Sequence, residues 1–589
     1  RATAVIVTTG METEIGTISE MVSSAEKEQI PLNRKLELLT KRLIWVTLGL
    51  AGTFFLVGLL TGTEIYQLVQ TSIAWTIAAI PEGLPIVASI ALAKGMLRLA
   101  DHNVIVKRLA AVETLGETTV IFTDKTGTLT ENRLTLQMME FEEMAGDIKW
   151  TNDKSSAEIT KSESSEKDFD ASDERLKRFI EISVLCNDAD LKPREDGEEG
   201  GDGDPLDVSL LEFGRAYDEQ LFDRLRGLER IHEEPFDSED MVMGTVYEID
   251  GRPMLLCKGA AEAMVERCSN SLTATGMKGA TEDAKKRWIK RNEKLSEDGL
   301  RVIAYAFKEL DQRPSEDVDV EKELMQDLTF LCLTGFIDPP REEVKGAVDT
   351  CKKAGIKVVM VTGDHPGTAS NIAREIELAD DNSDGAIHGA DLRSDGSSYS
   401  KNDIVSTRIF ARVDPEQKLK LIDYYQKNGD IVAMTGDGVN DAPALKKADI
   451  GISMGKRGTQ VAQEVSDMVL KNDAFSSIVE AVREGRIIFG NIRKFIMYQL
   501  SYHLSEILII AGISFSVFAL PLLPLQLLFL NLLSDVFPAL ALGIGKGSPG
   551  IMDKPPKDPD EPIINRKNWF MIGAHGVVLT IFIVGAYFF

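Results

Sequence analysis

Three segments end a strand-like apolar run in threonine, glycine and aspartate. Val120–Thr123 leads into Asp124-Lys125-Thr126-Gly127-Thr128-Leu129-Thr130. Val358–Val361 leads into Thr362-Gly363-Asp364, and Ile431–Met434 into Thr435-Gly436-Asp437-Gly438-Val439-Asn440-Asp441. Open α/β sheets bind ligands beyond the carboxyl ends of their strands. A carboxylate at that place, Asp124, can attack a phosphorus atom and become an aspartyl phosphate. Gly127 and the neighbouring threonines let backbone N–H groups approach phosphate oxygens. Asp437 is suited to hold Mg²⁺ together with Asp124, because that ion takes few carboxylates and fills its shell with phosphate oxygens. Lys418, early in a helix expected over Glu416–Gln426, can neutralise the transferred phosphoryl group.

These residues need one sheet to bring them together. Apolar runs at Val358–Val361 and Ile431–Met434 alternate with helical patterns at Arg341–Ala354 and Glu416–Gln426, which indicates parallel βαβ units over residues 331–480. Leu115–Thr130 reads as a strand-like run. Residues 136–330 form a polar insert, and its stretch Pro193–Asp207, with seven acids and one arginine, reads as a mobile loop.

The rest of the chain has a different composition. Five windows, Leu43–Leu60, Thr71–Ala93, Gln499–Leu520, Pro521–Gly545 and Trp569–Phe589, carry only three formal charges, Glu82, Glu506 and Asp535. Windows of this length can cross a bilayer as helices. Lys and Arg cluster before the first and third windows, after the second, and between the fourth and fifth, and are missing from the short connections Thr61–Gln70 and Leu520-Pro521. By the positive-inside rule the large middle segment is cytoplasmic. The whole chain of 589 residues has 66 basic and 93 acidic side chains, a net charge of −27, which disfavours a nucleic-acid partner. Five cysteines without a CxxC pair exclude a disulfide scaffold. Arg1 opens the chain on a β-like stub, Ala2–Thr8, and Phe589 ends it within an apolar run, so a fragment of a longer protein is expected.

An acid within a membrane window is a functional residue by default, and a structural ion pair is the competing reading. Pro81 and Pro85 flank Glu82 and free the carbonyls of Ile77 and Pro81 from helical hydrogen bonds. Asn531 and Asp535 share a helix face. With Glu82 and the carbonyls near Ile77, Ala78 and Ile80 they make a set of hard oxygen ligands, which suits Ca²⁺ rather than a thiophilic metal.

DKTGTLT, TGD, KGA (Lys258–Ala260), DPPR (Asp338–Arg341) and TGDGVNDAPAL together resemble the P-type ion-pumping ATPases along the whole chain. The resemblance implies a multidomain α/β protein with an α-helical membrane part. Its phosphorylation domain would be Rossmannoid, of the haloacid-dehalogenase type, with an inserted α+β nucleotide-binding domain. The expected division is an actuator remnant (1–30), two membrane helices (31–100), the phosphorylation domain in two parts (101–135 and 331–482), the nucleotide domain (136–330), and a stalk with three more membrane helices (483–589). The first two and the last membrane helices of the family would be missing. The resemblance also implies ATP and Mg²⁺, and phosphorylation of Asp124 within a catalytic set that includes Lys125, Gly363 and Asp364. Thr362, Lys418 and Asn440 would contact the phosphoryl group, and Asp437 would hold Mg²⁺, helped by the Thr126 carbonyl and supported by Asp441. Phe236 would stack on adenine, Lys258 and Arg301 would face the ATP phosphates, Asp207 would lie on the adenine side, and Arg341 would belong to the same site.

Departures from the pattern carry information. Soluble relatives of the core have a general-acid aspartate two places after the nucleophile, where this chain has Thr126, which cannot do that work. No TGE triplet is present, and Met241 stands where the family often has a lysine. PEGLP (Pro81–Pro85) and NLLSD (Asn531–Asp535) resemble the calcium-pump branch. In its second ion site Glu506 is retained, Ser534 matches a threonine and His503 matches an asparagine. His503 can pair with Glu506 at i, i+3, and the expectation is one Ca²⁺ exported per cycle, with protons returning. Other readings are a pump for Na⁺, K⁺, H⁺, Mg²⁺ or Mn²⁺, and a membrane-anchored phosphatase or nucleotide-binding regulator. The expected location is the cell membrane, and the sequence names no regulatory subunit.

Overall fold

The computed structural model describes residues 7–24, 31–60, 62, 64–78, 83–151, 156–162, 173–193, 199–237, 240–315, 318, 320–379, 385–392, 400–514, 523–558 and 561–589. They fall into two compact units. One comprises Arg1–Leu129, Glu342–Gly363 and Ile376–Phe589, and the other Thr130–Arg341 and Asp364–Glu375. Most of the stub Ala2–Thr8 lies outside the described residues, and Val7 and Thr8 are not in a strand.

The first unit holds an eight-stranded sheet: β1 (Val104–Val106), β2 (Val120–Thr123), β3 (Lys357–Val361), β4 (Ile387–His388), β5 (Ile409–Ala411), β6 (Val432–Gly436), β7 (Ile450–Met454) and β8 (Met468–Leu470). The spatial order is β1-β8-β7-β6-β2-β3-β5-β4. All pairs are parallel except β1 with β8. The chain leaves β2 for β3 on one side and returns to β6 on the other, so β2 borders the topological switch point where such sheets bind ligands. Every residue of β2 is buried. Val120, Phe122, Val359, Val361, Val432 and Met434 pack with Leu421, Ile422 and Tyr425 of a covering helix. The strand-like run predicted at Leu115–Thr130 is shorter than expected. Leu115–Glu117 end a helix, Leu109–Glu117, and only Val120–Thr123 are strand.

The same unit contains the apolar helices. We label its helices α1 (Glu14–Ser24), α2 (Pro31–Leu60), α3 (Ile65–Ala78), α4 (Gly83–Asp101), α5 (Leu109–Glu117), α6 (Glu342–Lys353), α7 (Pro415–Lys427), α8 (Phe475–Ser514), α9 (Pro524–Gly543) and α10 (Arg566–Phe588). Among the described residues three are long and apolar enough to cross a membrane, within α8, α9 and α10. The apolar parts of α2 and α3, Ile44–Leu60 and Leu68–Ile77, are shorter. The second window is divided between α3 and α4, which end and begin on either side of residues 79–82. The connection expected at Thr61–Gln70 is already helical from Ile65.

α8 is one helix from the sheet to its apolar end, and it touches what lies upstream of Asp124. Gly116 of α5 and Gly485 of α8 meet backbone to backbone: a methyl group on Gly485 would stand 2.7 Å from the Val112 carbonyl oxygen. The Arg486 guanidinium donates to the carbonyls of Ala354 (3.0 Å), Ile551 (3.2 Å) and Lys554 (2.7 Å). It thereby ties α8 to the end of α6 and to the α9–α10 connection. In that connection Lys557 sits 4.1 Å from the centroid of the Phe489 ring, which Arg493 also overlies. Burial, then the Arg493 charge, hold the Lys557 ammonium down at about 8.

The second unit is built on a mostly antiparallel sheet. Its strands run, edge to edge, Ala157–Lys161, Met144–Trp150, Thr135–Phe141, Leu328–Ile337, Arg301–Glu309, Arg252–Gly259, Val242–Ile249 and Arg230–Glu234. Cys268–Thr273 adds in parallel beside Leu328–Ile337. Side chains alternate between two cores, as the two-residue strand period requires. Leu256 and Tyr305 join the helices Glu174–Leu185, Pro205–Tyr217 and Glu219–Arg226. Leu255 and Ala304 join the helices Ala261–Arg267 and Glu282–Glu297.

The described part of the acidic stretch Pro193–Asp207 holds regular structure. Asp190–Pro193 pairs antiparallel with Glu199–Asp202. Asp204 then caps the helix Pro205–Tyr217, accepting from the Leu206 N–H at 2.9 Å with Pro205 in the first turn. A capping aspartate followed by proline starts a helix whatever the surrounding net charge. Residues 194–198 lie outside the described residues.

Candidate functional site

Asp124 leaves the end of β2, and the segment Lys125–Leu129 folds as a tight turn. Gly127 has φ 74°, a left-handed conformation that glycine adopts without strain. Lys418 lies in the first turn of α7, whose start is fixed by a reciprocal cap: Asp414 accepts from the Gln417 N–H (2.8 Å) and Gln417 accepts from the Asp414 N–H (3.0 Å). From there Lys418 Nζ donates to Asp124 Oδ2 at 3.2 Å and to Asp441 Oδ1 at 2.6 Å. Asp441 Oδ2 accepts from the N–H groups of Asp437 (3.3 Å) and Gly438 (3.2 Å), so the loop after β6 curls around its own carboxylate. A side chain on Gly436 would stand 2.5 Å from Asp441 Cβ, which requires glycine there. Thr435 Oγ1 accepts from the Asp124 N–H at 3.3 Å and joins β6 to β2.

Two carboxylates, Asp124 and Asp441, therefore share one lysine, and Asp437 lies close enough to feel both of their charges. Burial pushes the Asp124 carboxyl up, while the Lys418 charge opposes this. Burial, then the Asp441 and Asp124 charges, push Asp437 up to about 6. Burial acts against the Lys418 ammonium, but the two carboxylates hold it above its ordinary value. This excess of negative charge fits a divalent cation. Among the described residues no three His, Cys, Asp or Glu side chains form a metal cage. A Mg²⁺ here would rest on Asp124, Asp437 and the Thr126 carbonyl, with water and phosphate completing its shell.

Of the other predicted residues, Lys125, Thr362, Gly363 and Asn440 belong to the first unit. Thr362 is buried, its N–H donating to the Phe410 carbonyl (2.9 Å) and its carbonyl accepting from Val413 (3.1 Å). Gly363 is exposed after β3, and Asn440 is exposed in the short turn Val439–Asp441. Lys125 is buried. Asp364 falls in the second unit. Sequence reasoning missed Arg457 and Asp473. Arg457 Nη2 donates to the Gly127 carbonyl at 2.5 Å, and its Nε donates to Asp473 Oδ2 at 3.4 Å. Asp473 also accepts from the N–H groups of Gly455, Lys456 and Arg457 at 2.7–3.2 Å. The available signal was the loop Gly455-Lys456-Arg457-Gly458, which follows β7 at the same sheet edge.

In the second unit Phe236 is 61% exposed, as a base-stacking ring must be. Lys258 and Asp207, expected to act separately, are both buried and paired with each other. Lys258 is thus one half of an ion pair, not an uncompensated cation. Arg301 is exposed at the start of its strand. Arg341 Nε donates to the Thr130 carbonyl at 3.1 Å, while Thr130 Oγ1 donates to Asp338 Oδ2 at 2.5 Å. These bonds close the two ends of the insert together. Met241 is partly exposed, with φ 56°.

Of the proposed ion ligands, Ile80 and Glu82 lie outside the described residues, and Ala78 is the last residue of α3. His503 is the new finding: it touches both acids, Nε2 lying 3.1 Å from Asp535 Oδ2 and Nδ1 lying 3.4 Å from Glu506 Oε2. The expectation named only Glu506. The Asn531 amide can be placed with its nitrogen on either side. In one placement its nitrogen donates to the Ile77 carbonyl at 3.4 Å. In the other it donates to Glu506 at 2.8 and 3.1 Å, and the shorter bonds to a carboxylate favour this one. The Ser534 carbonyl accepts from Tyr498 Oη at 3.1 Å.

Residues 175–343 match a family model described as P-type ATPase, cytoplasmic domain N, and residues 519–589 match one described as cation transporting ATPase, C-terminus. The chain is 38% identical to calcium-transporting ATPase 1 of Bacillus cereus, over 100% of this chain and 64% of that protein. It is 38% identical to the calcium-transporting ATPase of Bacillus subtilis, over 98% of this chain and 64% of that protein. It is also 37% identical to the probable cation-transporting ATPase F of Mycobacterium bovis, over 95% and 62%. The chain thus spans about 64% of the length of the first two relatives. Two family models and similarity along 95–100% of this chain thus support a P-type ATPase.

Proposed function

We propose that the protein is an ATP-driven cation pump of the cell membrane that exports Ca²⁺ from the cytoplasm through an aspartyl-phosphate intermediate. The supporting observation is Lys418 held between Asp124 and Asp441 at the switch point of the sheet. An Asp124 oxygen attacks the γ-phosphorus of ATP, the bond to the β-phosphate oxygen breaks, and ADP leaves. Lys418 offsets charge on the transferred group, and Arg457 holds the turn that carries the nucleophile. When bound, Mg²⁺ would supply further positive charge toward the phosphate oxygens. Phe236, Lys258 and Arg301 are the candidate ATP contacts. Thr126 leaves the centre without a general acid two places on, so the phosphoenzyme persists until a base from outside the described residues acts.

The ion reading rests on oxygen ligands from Asn531, Asp535, Glu506, the Ile77 carbonyl and Glu82. The names of the two Bacillus relatives favour Ca²⁺. His503 occupies the space between Glu506 and Asp535, which favours one Ca²⁺ per cycle with proton return. The test is labelling of the full-length protein by ATP radioactive in its γ-phosphate. Ca²⁺ should stimulate an acid-stable, hydroxylamine-labile label that Asp124→Asn abolishes. Equal label in Asp124→Asn would refute the intermediate, and stimulation by another cation but not Ca²⁺ would refute the ion.

A further inference from the structure

Gln499 lies in α8 one turn before His503, on the same helix face. It is 0% exposed, and neither its amide oxygen nor its amide nitrogen has a hydrogen-bond partner among the described residues. Buried side-chain amides are nearly always satisfied, so a wholly unpaired one marks either strain or a ligand. A second unpaired atom lies close by. Asp535 Oδ1 is buried without a partner, while Oδ2 is engaged by His503.

The two side chains meet over Gly83, the residue that follows Glu82. A methyl group on Gly83 would stand 2.9 Å from Asp535 Cβ and 3.3 Å from Gln499 Nε2. Glycine therefore lets α8 and α9 close on the start of α4 at this point. No hydrogen bond fixes which end of the Gln499 amide faces Gly83, and rotation about its last torsion brings the oxygen there. An amide oxygen beside a carboxylate is a hard, partly charged donor pair of the kind Ca²⁺ accepts.

We infer that Gln499 is a ligand of the transported divalent cation, its amide oxygen acting with Asp535 Oδ1. The assignment rests on the pump reading above. It supplies a neutral oxygen in a site where each ring nitrogen of His503 is already committed to a carboxylate. A histidine so placed cannot donate a lone pair to the cation from either ring nitrogen without giving up one of those contacts.

The test uses the full-length protein in detergent and reads the Ca²⁺ concentration for half-maximal labelling by ATP. Labelling by inorganic phosphate without Ca²⁺ serves as a control for folding and for the Asp124 centre. Gln499→Leu should raise the half-maximal Ca²⁺ by about tenfold or more and leave phosphate labelling intact. Gln499→Glu, which keeps an oxygen at the same reach, should stay near or below the unmodified value. If Gln499→Leu loses phosphate labelling through misfolding, Gln499→Met replaces it, with the same expectation. A half-maximal Ca²⁺ within twofold of the unmodified value, in a variant that keeps phosphate labelling, overturns the assignment alone. ATP labelling of the unmodified protein that needs no divalent ion beyond Mg²⁺ overturns the Ca²⁺-pump reading and the assignment with it.

Discussion

Arg457 reaches across from the loop after β7 and donates to the carbonyl of Gly127, three residues beyond Asp124. Its guanidinium is held in turn by Asp473, which is 2% exposed. The turn carrying the nucleophile is thus braced by a second cation besides Lys418. Arg457→Ala should slow phosphorylation by ATP about tenfold with ATP affinity unchanged, as measured by rapid-quench labelling and nucleotide binding. Arg457→Lys should recover little, because a single ammonium cannot serve Gly127 and Asp473 with one planar fork. Equal rates for all three proteins would remove Arg457 from the phosphorylation step.

Asp473 has a separate, structural consequence. It accepts three backbone N–H groups as well as Arg457. Asp473→Ala takes the acceptor from these part-buried donors and should cost about 1–3 kcal/mol of stability. Urea unfolding followed by a probe in the first unit measures this, and a loss below about 0.5 kcal/mol would contradict it.

The crowding of Asp124, Asp437 and Asp441 predicts a metal-dependent stability. Mg²⁺ should raise the melting temperature of the full-length protein, and chelation should reverse the rise. Asp437→Asn removes one of the mutually repelling carboxylates. It should melt higher than the unmodified protein without Mg²⁺ at neutral pH and gain little when Mg²⁺ is added. A full Mg²⁺ shift in Asp437→Asn would show that the ion binds elsewhere.

Lys557 gives a prediction with a defined sign. Its folded value near 8 is below the ordinary lysine value of 10.5, so the folded chain holds fewer protons than the unfolded chain between these pH values. Its charge therefore opposes folding at pH 7, and this penalty is relieved as pH rises through that window. Lys557→Met should stabilise the protein by about 1 kcal/mol at pH 7, after discounting for solvent screening, and by less at pH 9.5. A gain that is equal at both pH values would count against the burial argument.

His503 predicts a stoichiometry. With its ring between Glu506 and Asp535, transported Ca²⁺ per phosphoenzyme should be near one. His503→Asn frees both carboxylates and should raise the ratio or shift the pH dependence of Ca²⁺ binding. A ratio near two in the unmodified protein would exclude the one-ion reading.

How much of this was legible in the sequence depended on how far apart the partners lie. Asp124, Thr362 and Asp437 could be placed because each follows a short apolar run and ends it with turn residues, so one local pattern recurs three times. Lys418 could be placed by its position early in a helix. The contact of His503 with Asp535 spans 32 residues and two helices. Helical periodicity gives the face a residue occupies but not which helix lies opposite. Gln499 escaped notice for the same reason, since an amide in an apolar window becomes informative only when its surroundings are known. The regular structure in the described part of the acidic stretch Pro193–Asp207 was missed because net charge averages over Asp204 and Pro205, whose local effect is to start a helix.

The 40-residue helix α8 has no proline between Phe475 and Ser514. Gly485 and Arg486 near one end and Glu506 near the other belong to a single rod. At 1.5 Å per residue, Arg486 and Glu506 are separated by about 30 Å along its axis. Such a rod behaves as a lever. A tilt of about 5° about Arg486 would sweep Glu506 sideways by about 3 Å, roughly the width of one oxygen ligand. A displacement of that size is enough to make or unmake a cation's coordination shell without any hinge inside the helix.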